Sequence, residues 1–173
     1  MDEPGDPSDE FLVAADHQRR AEDEAVVERA EVEWATTRWH TLLPAAAGVV
    51  ELLLSDSSRV VGECVDVGDS WCLIDGTGRW HLVGLAHVVT AAGVRAAAPP
   101  QGRARRGMGW GLRRWMRMRS TVSVHVVTGD RLGGVIAEVL ADACVLLVEL
   151  EPRRRVVIPL TSIVSLSGDP ILD

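Results

Sequence analysis

Two similar segments constrain this chain more than any other feature. Residues 49–74 lie over residues 121–146 at a constant offset of 72, without a gap. Val50 meets Val122, Arg59 meets Arg131, Gly62 meets Gly134, Val67 meets Val139 and Cys72 meets Cys144. The pairs Leu52/Val124 and Leu54/Val126 keep one alternation, and Asp66 faces Glu138. After a three-residue insertion in the second segment the match resumes at an offset of 75. Val83/Ile158, Leu85/Leu160, Val88/Ile163, Val89/Val164 and Gly93/Gly168 then correspond. Two copies of one small unit account for this pattern, and such a period outranks any local motif.

Each copy reads as strands. Leu52, Leu54 and Val60 alternate with polar residues around the turn Asp56-Ser57-Ser58-Arg59, and Thr128-Gly129-Asp130-Arg131 makes the same turn in the second copy. Gly62 and Gly134, near the start of the next strand, predict a bulge or sharp bend. Turns at Gly68-Asp69-Ser70 and Asp75-Gly76-Thr77-Gly78 divide the remainder, and Val88 or Ile163 opens a last short strand. Five short strands in so few residues predict a closed barrel, because closure removes the edges that an open sheet exposes. The expected fold class is mainly β with flanking helices: two tandem five-stranded small β-barrels, each preceded by a helix.

The expected boundaries follow. Residues 1–15 read as an acidic disordered tail. Residues 16–44 read as a helix with Val26, Val27, Ala30 and Trp34 on one stripe and Pro44 ending it. The first barrel spans 48–94 and the second 120–168. Between them, 95–109 is a basic linker rich in Pro and Gly, and 110–119 is a short basic helix with Leu112, Trp115 and Met116 on its apolar face.

A turn bearing an arginine, then x-x-Gly-x-Val/Ile, then a closing segment such as Val156-Val157-Ile158-Pro159-Leu160-Thr161-Ser162-Ile163-Val164-Ser165-Leu166, resembles the Sm-like (SH3-like) small barrels. The tandem arrangement also resembles an uncharacterised group from high-GC, actinobacterial-type bacteria. The closing segment resembles that of the PRC-type barrel as well. The Sm resemblance implies five bent strands after a helix. In that family an Asn and an Arg-Gly pair hold a nucleotide base. Here the Asn position carries Cys72 and Cys144, and the Arg-Gly positions carry Gly84-Leu85 and Pro159-Leu160. Neither copy keeps that pocket.

No catalytic set assembles in the sequence. The histidines His17, His40, His81, His87 and His125 are scattered, and Cys64, Cys72 and Cys144 lack the short regular spacing of a zinc site. Cys72 and Cys144 occupy equivalent strand positions and read as small core residues. A non-enzymatic protein without cofactor, metal or evident small-molecule substrate is expected. An acidic N-terminus without an apolar h-region reads as no secretory signal, and no stretch is long enough to span a bilayer, so a cytoplasmic protein is expected.

Charge gives the sharpest hint. The net charge of −7 averages two unlike regions. Residues 1–35 hold twelve acids and three arginines, whereas residues 95–119 hold eight arginines and no acid. Arg103, Arg105, Arg106, Arg113, Arg114, Arg117 and Arg119, interleaved with Trp110 and Trp115, form a candidate nucleic-acid or partner-binding segment. Arginines neutralise phosphates and tryptophans stack on bases. The same residues also read as an amphipathic helix covering the second barrel, or as a basic surface for an anionic membrane or for the acidic N-terminus. The functional expectation is an adaptor acting through protein–protein contact or self-association. Binding of RNA or single-stranded DNA through residues 103–119 is the alternative.

Overall fold

The computed structural model describes residues 38–45, 48–94, 107–148 and 154–170. Ten strands form one antiparallel sheet. The first five are β1 (Val49–Leu54), β2 (Arg59–Val67), β3 (Trp71–Gly76), β4 (Arg79–Gly84) and β5 (Val88–Ala92). A single α-helix among the described residues, α1 (Gly109–Met118), then leads into β6 (Thr121–Val126), β7 (Arg131–Val139), β8 (Ala143–Val148), β9 (Arg154–Pro159) and β10 (Ile163–Gly168). The bounds of β6, β7 and β8 stand 72 residues after those of β1, β2 and β3, and β9 stands 75 after β4.

Strand order across the sheet is β5-β1-β2-β3-β4-β10-β6-β7-β8-β9. The first half therefore reads 5-1-2-3-4, and the second reads the same order in its own strands. The halves join where β4 meets β10, through Val83 opposite Ser165, Leu82 opposite Leu166, His81 opposite Ser167 and Trp80 opposite Gly168. This corrects the expectation of two closed barrels. The second side of β4 is taken by β10 and that of β10 by β4, so neither half closes on itself. β5 and β9 remain as the outer strands.

The glycines act by close approach. A Cβ on Gly62 would lie 2.1 Å from the carbonyl oxygen of Asp75, and one on Gly134 would lie 2.1 Å from that of Leu147. The bulges sit further along, where β2 shifts register between Cys64 and Asp66 and β7 between Ile136 and Glu138. Glycine thus lets the neighbouring strand in, and the extra residue bends the long strand a few positions later.

Two cores lie on opposite faces of the central strands. Leu43, Val50, Leu52, Leu54, Val60, Cys72, Ile74, Val83, Leu85 and Val164 make the first. Trp71, Leu73 and Leu82 leave the same strands on the other side and join Leu112, Trp115, Val122, Val124, Ile136, Leu146 and Leu166 in the second. β3 is therefore buried at four consecutive positions, 71–74, and β10 at 163–166. Trp71 and the partly buried Trp80 are core residues here, not a binding rim. Of the expected helix at 16–44, residues 16–37 lie outside the described residues. Trp39–Ala45 is a 3-10 helix, with Leu43 buried in the first core.

Candidate functional site

Helix α1 carries the described part of the Arg/Trp segment. Its sequence is poor for a helix: Gly109 and Gly111 each cost about 1 kcal/mol relative to alanine. No acid lies in the first turn, and no side chain caps the N-terminus. Packing compensates. The bare Gly111 admits Leu82, whose Cδ1 would lie 3.3 Å from an added Cβ. Leu112 and Trp115 are fully buried. The Trp115 indole N–H donates to the Asp169 carbonyl oxygen at 2.9 Å, and its ring lies on Gly168. Arg119 ends the helix in the left-handed conformation, φ 53°, where glycine is the usual residue.

The two tryptophans therefore differ. Trp115 is an interior anchor and presents no face for a base. Trp110 is half-buried, stacks on Trp71 with centroids 6.0 Å apart, and has the Arg114 guanidinium over its ring at 5.2 Å. Arg113, Arg117 and Arg119 are exposed, and the Arg117 Nε–H donates to the Arg113 carbonyl oxygen. Trp110, Arg114, Arg117 and Met118 border a shallow hollow of about 370 Å³. Arg103, Arg105 and Arg106 lie outside the described residues. The helix thus has both expected faces: an apolar stripe on the second core and a basic outer stripe.

A cleft of about 360 Å³ opens beside the start of α1, between Ser70, His87, Met108, Arg113, Leu140 and Thr161. His87 Nε2 lies 2.9 Å from the Thr161 carbonyl oxygen. Among the described residues no buried side-chain polar atom lacks a partner, and no three His, Cys, Asp or Glu side chains come together as a metal set. Burial pushes the Cys144 thiol up to about 11, and burial together with nearby Cys64 pushes Cys72 up as well. Thiols held so firmly protonated are poor nucleophiles.

Titratable groups do meet at the joint between the halves. His125 on β6 places Nδ1 3.3 Å from Oδ2 of Asp56, in the β1–β2 turn. Burial raises the Asp56 carboxyl, but the Ser58 hydroxyl and amide, with His125, outweigh it and hold the pKa below the ordinary value. His81 on β4 is lowered by burial first, then by Arg79 and His125.

The sheet edges were missed by sequence reasoning, which expected closure to remove them. β5 reads Val-Val-Thr-Ala-Ala without a charge or proline, and Val89 is 61 % exposed. β9 carries Val157 at 62 % exposure, between Arg154 and Arg155 at one end and Pro159 at the other. Each is paired along one side only among the described residues. The signal was available in the chain: Val89 and Val157 stand 75 residues from Val164 and Leu82, which are fully buried at the joint.

No family model matches the chain, and no curated protein matches its sequence. No helix among the described residues is long and apolar enough to cross a membrane.

Proposed function

We propose that this is a non-enzymatic, cytoplasmic binding or adaptor protein working through protein–protein contacts at its two sheet edges. On this reading its halves are copies of one Sm-like small-barrel unit. The observation that carries the proposal is the pair of outer strands β5 and β9, each with an exposed valine at its centre. An edge strand offers unpaired N–H and C=O groups, and an extended partner segment adds to it by main-chain hydrogen bonds with side-chain pockets for specificity. Soluble proteins blunt such edges with charge or proline. β9 is blunted at both ends but not at its centre, and β5 is not blunted at all.

Affinity capture with the full chain, after nuclease treatment, tests this against the double variant Val89→Lys/Val157→Lys. A discrete partner held by the native chain and lost from the variant supports the reading. Equal capture by both overturns it.

The outer stripe of α1 favours a second reading, RNA or single-stranded DNA binding, because Arg113, Arg117 and Arg119 are exposed beside Trp110 and Arg114. Fluorescence anisotropy of labelled single strands would then show a loss of about tenfold or more between ~50 and ~200 mM salt. Arg113→Gln/Arg117→Gln should flatten that slope. Absence of binding at low salt rejects this reading.

A further inference from the structure

We infer that the occupant of each free edge is a second copy of this chain, with β5 of one copy pairing antiparallel to β9 of the next, so that copies join head to tail. This rests on the protein–protein reading above and deepens it.

The template is the joint inside the molecule. There β10, the fifth strand of its half, pairs with β4, the fourth strand of the other. β5 is likewise a fifth strand and β9 a fourth, and both are open. Moving the internal register by the 75-residue offset pairs Thr90 with Ile158, Ala91 with Val157, Ala92 with Val156 and Gly93 with Arg155.

Side chains agree with the backbone. Among the exposed large apolar side chains, the two with the greatest exposure are Val157 at 62 % and Val89 at 61 %. Their counterparts at the joint, Leu82 and Val164, are 0 % exposed. Val164 sits where β10 skips a residue in its pairing with β6, and its side chain enters the core of the first half. Val89 sits at the same skip in β5 against β1. Paired as inferred, Val89 enters the neighbouring copy's second half as Val164 enters the first. The mismatch is at Pro159, whose counterpart Gly84 approaches Ile163 so closely that a Cβ would lie 2.7 Å from its carbonyl oxygen. Pairing therefore stops at Ile158.

An interface using different surfaces on the two partners is heterologous: it closes into a ring if the rotation permits and grows as a chain otherwise. Sedimentation velocity of the full chain up to about 100 µM tests it together with two edge variants. The native chain should sediment as species larger than a dimer. Val89→Lys and Val157→Lys, both at exposed positions of the monomer, should each be monomeric alone. Mixed in equal amounts they should form a dimer and nothing larger, because one open β5 and one open β9 remain. A native chain that is monomeric throughout overturns the inference. So does either variant that keeps the native assembly alone, since that means like edges pair, and so does a mixture that stays monomeric. If the native chain is monomeric yet captures a foreign partner that the double variant loses, self-pairing alone fails and the protein–protein reading stands.

Discussion

Gly62 and Gly134 show how far a single missing side chain sets the architecture. With a carbonyl oxygen 2.1 Å from where each Cβ would stand, and backbone unable to yield as a flexible side chain could, Gly134→Ala should lose more than about 3 kcal/mol. Gly133→Ala, where nothing lies within 4 Å of an added Cβ, should change stability far less. Denaturant melts of the two variants side by side check this. The cysteines make a second prediction at the same scale. Cys72 and Cys144 are fully buried and raised, so a thiol reagent at neutral pH should modify Cys64 first and reach the other two only on unfolding. Peptide mapping after a timed pulse of reagent reads the order. The matched pair of cysteines was correctly legible as core, because a small apolar residue at equivalent strand positions has few other uses.

Helix α1 owes its existence to what lies beneath it. Ten residues with two glycines and no N-terminal cap are too short to hold in water by propensity, so burial of Leu112 and Trp115 decides. Trp115→Ala should cost about 3–5 kcal/mol. Trp115→Phe keeps much of the packing but strands the Asp169 carbonyl, and should cost about 1–3 kcal/mol. Arg119→Gly should instead stabilise by about 0.5–1 kcal/mol, since φ 53° strains a residue with a Cβ. Thermal melts order the three. The apolar stripe was readable from 3-4 spacing, whereas the division of labour between Trp110 and Trp115 was not. That depends on Trp71 arriving from β3, 39 residues earlier in the chain.

Across the whole molecule, the joint of β4 with β10 is where acid should act. Asp56 is held below its ordinary value of 3.8, so its contribution is present above that pH and fades as pH falls through the native value. His81 is lowered from 6.5, so the unfolded chain takes up a proton before the native one does; stability is intact above pH 6.5 and declines below it. The melting temperature should therefore drop as pH falls below 6.5 and drop again below 3.8. In His81→Gln the first drop should shrink while the second remains, and a flat profile in the native chain between pH 7 and 5 rejects the assignment.

Local pattern was enough for much of this molecule. Alternation, turn residues and the 72-then-75 offset placed the strands nearly to the residue, because each strand's pattern and its turns are written within ten residues of chain. The offset also found Gly62 and Gly134, although it assigned them to the bulge that lies three residues on. Nothing local specified which strand β4 would pair with along its second side. Closing a barrel on β5 and opening toward β10 satisfy the same alternation and the same backbone hydrogen-bonding groups. That choice was made by side chains brought from far apart: Leu82 beneath α1, Val164 in the opposite core, and His125 against Asp56. It turned two expected barrels into one ten-stranded sheet and left Val89 and Val157 in the open.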